Sequence, residues 1–330
     1  INASYQHALS LNRVEHGTWV EQTIALGTPD HPPSPDTFAM EAEWAAVGEH
    51  APWTYEYLLR GVALALSTDA PGAVLCWAMM CWPGWAPANL GQHPAVPDPF
   101  ARFEAAAANL DLDREWWVLI ELVDKAVAHR GPEVHSAYLA RLVETADRVR
   151  APSLMANAAL YRGHDFIAQR PPNFAAALPL YTTALDRVRQ CGDLLNEGEA
   201  VRAIALATVG LDPDNAIETC RNALMRLHEM RHWYRIWHVF ESIGLSLAST
   251  GDVEAASVIA GNLEAQHPQP YCFEYKLGFR DRTLENVRRN AQVDEWMAHG
   301  AAMDRYQIVE YALTALGSRP GPSVASGCSV

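Results

Sequence analysis

Polar and apolar positions along the chain fall into helical segments that proline and glycine interrupt. The pattern is weak over residues 1–27, and prolines make residues 27–35 a rigid loop. Asp36 reads as the N-cap of a helix over Thr37–His50, and Pro52 sits in the first turn of a helix near Trp53–Ser67. A third helix is predicted from Pro71 to Cys81. Residues 81–99 carry five prolines and two glycines and cannot be a regular helix. Helices are then predicted over 100–109, 113–129, 133–149, 153–169, 174–190, 193–209, 214–230, 233–250 and 252–266. Gly131-Pro132, Ala151-Pro152, Pro171-Pro172, Cys191-Gly192, Asp212-Pro213 and Gly251-Asp252 mark their ends. Three short helices are expected near 281–290, 293–300 and 304–316. The tail Gly317–Val330 has a disordered composition.

A second order lies over these helices. Small residues recur at Ala137, Ala177, Ala216 and Ala256, separated by 40, 39 and 40 residues, with Ala73 a further 64 before. Around Ala256, Gly244 precedes a Gly251-Asp252 turn, and Ala260, Leu263 and Pro268 follow. Gly244 and Ala256 are expected where two helix backbones approach, and Gly61 takes the place of Gly244 in the first repeat. Tyr181 and Ala184, and Cys220 and Ala223, fill the places of Ala260 and Leu263. Arg141 and Glu144 weaken the pattern after Ala137. One hairpin cannot bury its apolar face alone, whereas stacked copies can. The expected fold is all-α: a right-handed α-solenoid of helical hairpins, period about 40, with a short C-terminal helical cap. The expected division is 1–99, hairpins ending in the proline-rich break; 100–268, repeats; 269–316, the cap; and 317–330, the tail.

Composition agrees with a helical chain. Hydrophobic residues make up 49% and charged residues 19%, with alanine and leucine abundant and β-branched runs rare. With 25 basic and 39 acidic residues the formal net charge is −14, and no basic stripe appears, so a direct nucleic-acid partner is not expected. No apolar run reaches the length of a membrane span, and no signal peptide is recognisable, so a cytoplasmic protein is expected. None of the six cysteines forms a CxxC pair, and reduced thiols are the simplest reading. The chain begins at Ile1, which reads as a piece of a longer protein.

The hairpin pattern resembles the tetratricopeptide repeat in a degenerate, longer-helix form, through Gly244, Ala256 and Pro268. Residues 214–266 are similar to the C-terminal helical region of large actinobacterial-type regulators, and residues 298–316, AHGAAMDRYQIVEYALTAL, resemble that family's closing Tyr-Ala-Leu helix. The resemblance covers residues 150–316 well and 37–149 loosely. It implies a nucleotide-cyclase, SARP-type or LuxR-type module joined to a signal-transduction (STAND) ATPase, then degenerate repeats. No LuxR-type helix-turn-helix follows residue 316, which favours the cyclase- or SARP-linked forms. No GxxxxGK motif followed by Ser or Thr occurs, and no cyclase aspartate pair is recognisable, so the ATPase is expected upstream of Ile1.

Catalytic motifs are sparse. Glu295 and His299 share a helical face, but the second histidine of HExxH is missing, and zinc needs three or four ligands. His228, His232 and His238 read as surface or groove histidines. Asp212 and Asp214 read as turn and cap residues around Pro213. Trp77 is expected in the core, Trp82 and Trp85 over the end of their hairpin, with Trp116-Trp117 beyond the break. No metal site, cofactor or catalytic residue is assigned. If the first helix of each pair lines a concave face, the groove positions are His129, Arg130, Arg162, Phe166, Gln169, Arg170, His238 and Glu241. Such a mixture suits a protein or peptide partner, or a small anionic effector. The leading expectation is a non-catalytic sensor or interaction domain of a multidomain regulator. A stand-alone scaffold and an all-helical enzyme with an unrecognised pocket are the alternatives.

Overall fold

The computed structural model describes residues 22, 24–28, 34–40, 51–68, 73–81, 96–266 and 278–317. Every regular element among them is helical. After a helical stretch at 35–40, the helices are α1 (Ala51–Thr68), α2 (Val74–Met80), α3 (Pro99–Ala107), α4 (Trp116–His129), α5 (Pro132–Val149), α6 (Pro152–Ala168) and α7 (Phe174–Cys191). There follow α8 (Leu194–Leu211), α9 (Ile217–Glu229), α10 (Trp233–Ser249), α11 (Val253–Gln266), α12 (Phe279–Val287), α13 (Val293–Ala301) and α14 (Arg305–Gly317). A 3-10 turn, Pro213–Asn215, precedes α9. The expected Trp82 and Trp85 cluster, most of the proline-rich break, the end of the helix expected to reach His50, and the tail after Gly317 lie outside the described residues.

The chain divides into two compact units: residues 1–165 with 180–197, and residues 166–179 with 198–330. In the first unit α2 is buried at every residue, with α1, α3 and α4 packed against it. Trp77 is in this core, with Phe100, Phe103, Leu119, Leu122 and Leu142. In the second unit α10 holds the centre and packs against α9, α11 and α12. The last helix, α14, packs on α9 and α11.

Asp36 does not cap its own helix. Ser34 does so, its Oγ accepting from the Thr37 N–H at 3.2 Å. The Asp36 carboxylate instead accepts from the Cys76 N–H at 3.1 Å, at the start of α2, which has no cap of its own. A buried helix start has N–H groups that need acceptors, and a carboxylate from a distant segment supplies one. Burial pushes the Asp36 carboxyl up to about 6, against the pull of those N–H groups.

The small-residue seam is buried at Ala177, Tyr181, Ala184 and Val188, and at Ala216, Cys220, Ala223 and Leu227. Ala256, Ala260 and Leu263, and Ala73, Trp77 and Met80, are buried in the same i, i+4, i+7 order. Ala137, Arg141 and Glu144 are exposed, so the expected register of that repeat is wrong by two residues. The buried positions are His135, Leu139, Leu142 and Ala146. Backbone geometry supports the corrected register. Residues Arg150, Gly192 and Arg231 have φ of 57°, 70° and 53°, and each lies fifteen residues beyond the start of its seam.

Close approach is placed differently from expectation. A methyl group at Gly244 would meet Thr283 of α12 at 3.4 Å and Ile259 of α11 only at 3.9 Å, which is ordinary contact. Gly61 faces the 35–38 segment, where a methyl would lie 2.9 Å from the Pro35 carbonyl oxygen. The closest approach of two helices in the second unit is between α11 and α13. There, Gly261 lies on the Met297 backbone and Gly300 on the Val258 backbone, with no room for a side chain at either. Asn262 locks the crossing by donating to the carbonyls of Gly300 at 2.9 Å and Met303 at 3.0 Å.

Candidate functional site

The eight groove positions are divided between the two units, and two of them, His238 and Glu241, are buried. His129 and Arg130 come together at the end of α4, in the first unit. His129 stacks on Phe100 at 5.5 Å and its Nε2 is 2.7 Å from the Cys81 carbonyl oxygen. Arg130 spans Asp98 at 3.0 Å and Glu104 at 3.2 Å, with its guanidinium 5.0 Å from the centre of the Phe100 ring. Tyr138 donates to the other Glu104 oxygen at 2.8 Å. The Ala101 N–H, then Arg130, hold the Asp98 carboxyl below its usual range, while burial and Glu104 push the Tyr138 hydroxyl up to about 12. The guanidinium's attraction is thus spent on two carboxylates of its own unit. That arrangement fastens α3 to α4 and α5.

Arg162 is exposed on α6, Phe166 is half-buried, and Gln169 and Arg170 are exposed beyond the end of that helix. His238 and Glu241 are not groove residues at all. Both are buried, because α9, α11 and α12 cover α10 on several sides. The reading of His232 as a surface histidine fails likewise, since it is 3% exposed. An apolar stripe is the usual sign of a helix with one covered face. In α10, Arg235, His238 and Glu241 break the apolar run, so the sequence concealed a helix covered nearly all round.

His232 and Glu241 belong to partly buried charge clusters in the second unit. Glu199 of α8 accepts from Arg202 at 2.5 Å and also from Arg235 of α10. Arg235 Nε donates to His232 Nε2 at 3.1 Å. Further along α10, Glu241 accepts from Arg280 of α12 at 2.9 Å. Burial raises the Glu241 carboxyl, and Arg280 opposes that rise. Burial, then Arg235, drives the His232 imidazole well below its usual range. Arginine suits such a site because its charge is permanent and its donors are fixed in a plane.

A surface groove with a cavity volume of about 430 Å³ lies along α9 and α14. His228, Tyr306, Val309, Glu310, Leu313 and Thr314 line it. Trp233 packs edge-on beneath Tyr306 at 5.0 Å and beside His228 at 5.8 Å, and Arg305 covers the Trp233 ring at 5.0 Å. Sequence reasoning missed this groove. The available signal was Tyr306 and Leu313, seven residues apart on the face of α14 opposite Ile308 and Ala312.

Among the described residues no group of three or more His, Cys, Asp or Glu side chains is arranged to hold a metal ion. Burial pushes the Cys81 and Cys220 thiols up to about 12, so neither is a ready nucleophile. Asp212 caps the turn as expected, its carboxylate accepting from the Asn215 N–H at 3.2 Å. No described helix is long and apolar enough to cross a membrane. No family model, curated protein or solved structure matches the chain.

Proposed function

We propose that this chain is a non-catalytic sensor or protein-interaction domain, built as a right-handed α-solenoid of TPR-like hairpins, within a multidomain signalling or transcriptional regulator. The observation that carries the reading is the recurring seam. From His135 onward it returns about every 40 residues, buried in the same i, i+4, i+7 order, and a left-handed residue follows the seams at His135, Ala177 and Ala216. Repetition of one hairpin is an economical way to present a long surface, and such arrays recognise partners more often than they perform reactions. The groove along α9 and α14 adds to this, because two aromatic rings, two aliphatic side chains and one carboxylate suit a peptide segment. The resemblance of residues 214–266 and 298–316 to the helical region of large regulators leads us to propose, as the parent, a STAND-type ATPase that the array would restrain or release. Restraint of that kind requires the effector to bind one state of the parent more tightly than the other.

The test is made on the parent protein. The reading expects a nucleotide-binding ATPase encoded upstream of Ile1, whose basal ATP hydrolysis should change on deletion of residues 1–330. A parent without an ATPase, or one whose hydrolysis is indifferent to the deletion, overturns the reading. In the first case, a partner whose binding is lost in Tyr306→Ala would favour a stand-alone scaffold.

A further inference from the structure

His232 sits where α9 turns into α10, and its position is tightly specified. Its N–H donates to the Leu227 carbonyl at 2.9 Å, closing the end of α9. Its own carbonyl accepts from the Arg235 and Ile236 N–H groups and so opens α10. The imidazole packs against α8, where a methyl added at Gly198 would lie 3.1 Å from its Cδ2. The ring's hydrogen bonding then decides its protonation. A guanidinium can only donate, so the contact from Arg235 Nε requires His232 Nε2 to be the acceptor. The ring proton is therefore on Nδ1, which is buried and has no partner. A further proton can be taken up only at Nε2, the atom that Arg235 occupies. Protonation of His232 and its contact with Arg235 are mutually exclusive.

Each element around the ring brings its own charge. Arg235 on α10 and Glu199 on α8 are the charged groups acting on it, with Arg202 behind Glu199. The face of α9 beside it is apolar, through Leu227 and Met230, while His228 and Arg305 lie on the neighbouring Trp233. A second cation here is disfavoured by burial and by Arg235 more than it is favoured by Glu199, which already accepts from two guanidinium groups. We infer that His232 is an acid-sensitive latch: its protonation ejects Arg235 and loosens the tie that Arg235 and Glu199 make between α10 and α8. The side chain of Glu241 titrates in the same unit, and burial raises it, so acid favours the folded state at Glu241 while opposing it at His232. A comparison that leaves Glu241 in place is therefore needed to isolate the latch.

Two measurements test this, and neither depends on the proposed function. Long-range proton–nitrogen NMR of the wild-type chain, with the His232 signal assigned by its loss in His232→Gln, should show the Nδ1–H form at pH 7. It should also show a titration midpoint below the ordinary histidine value of about 6.5. The Nε2–H form, or a midpoint at or above that value, overturns the inference. Urea unfolding between pH 7.5 and 5 is then compared for wild type and His232→Gln, which keeps an acceptor for Arg235 and does not titrate. The stability of wild type relative to the variant should fall as pH drops below about 6.5, approaching a tenfold loss in the folding equilibrium per pH unit. Parallel pH profiles overturn the latch. If His232→Gln does not fold, Arg235→Gln substitutes for it: the His232 midpoint should move upward, and an unchanged midpoint is the overturning result.

Discussion

At the scale of single residues, the chain spends its conformational strain at helix ends. Gly192 and Gly251 take left-handed backbone at two of these, and Arg150 and Arg231 take the same conformation at two more. Around Arg231 the hydrogen bonds match those around Gly251. His232 N–H reaches Leu227 as Asp252 N–H reaches Leu247, and Arg231 N–H reaches His228 as Gly251 N–H reaches Ala248. A side chain in that conformation costs about 1 kcal/mol, which glycine avoids. Gly192→Ala should therefore lose about 1 kcal/mol in urea unfolding, whereas Arg231→Gly should be neutral or more stable by up to about 1 kcal/mol. The same outcome for both would show that the turns are not equivalent. Asp36 supplies a second residue-scale prediction. Its folded-state value, about 6, is above its ordinary 3.8, so its favourable contribution is complete below 3.8 and is lost as pH rises through 6. Wild type should gain on Asp36→Asn as pH is lowered from 7 to 4, by on the order of 2–3 kcal/mol.

At the scale of helices, packing is decided by which small residues face backbone. Gly261 and Gly300 let α11 and α13 touch main chain to main chain, and Asn262 holds the crossing with two hydrogen bonds. A methyl at either glycine must separate the helices. Gly300→Ala should cost about 3 kcal/mol or more, while Gly244→Ala, with only ordinary contact around it, should cost less than about 1 kcal/mol or raise stability through helix propensity. Thermal unfolding of the two variants side by side checks the contrast; equal losses would contradict the geometry. Gly163 and Gly210 make comparable but softer fits, each against an aromatic ring, Tyr181 and Phe174. A ring can tilt aside where a backbone cannot.

At the scale of the whole molecule, charge is the property that acts at a distance. An excess of fourteen acidic residues repels a phosphate backbone before any contact is made. Binding to duplex DNA at physiological salt should accordingly be weaker than about 10⁻⁴ M, the weak end of ordinary non-specific affinity. Fluorescence anisotropy is sufficient to measure it, and micromolar binding would require a basic surface that the sequence does not display. In the second unit, charge is paired locally: Arg202 and Arg235 both reach Glu199, and Arg280 reaches Glu241. Burial and the Arg235 guanidinium both disfavour a charge on His232, which is why acid is expected to act there.

The helices and their ends were legible in the sequence because both have local causes. Proline and glycine stop a helix wherever they occur, and a stripe of alanine and leucine needs no partner to be recognised. The seams at Ala177, Ala216 and Ala256 followed from the same stripes. The seam near Ala137 was misplaced because alanine is tolerated on an exposed face as readily as in a core, so only tertiary contact could choose His135 and Leu139 instead. For the same reason the groove positions were poorly assigned. Whether a polar residue such as His238 or Glu241 faces water depends on how many helices surround its own, and periodicity along one helix does not count its neighbours. Asp36 capping α2, and Glu199 holding Arg235, join residues distant in sequence. Those pairings, and the chemistry that follows from them, were decided by the tertiary structure alone.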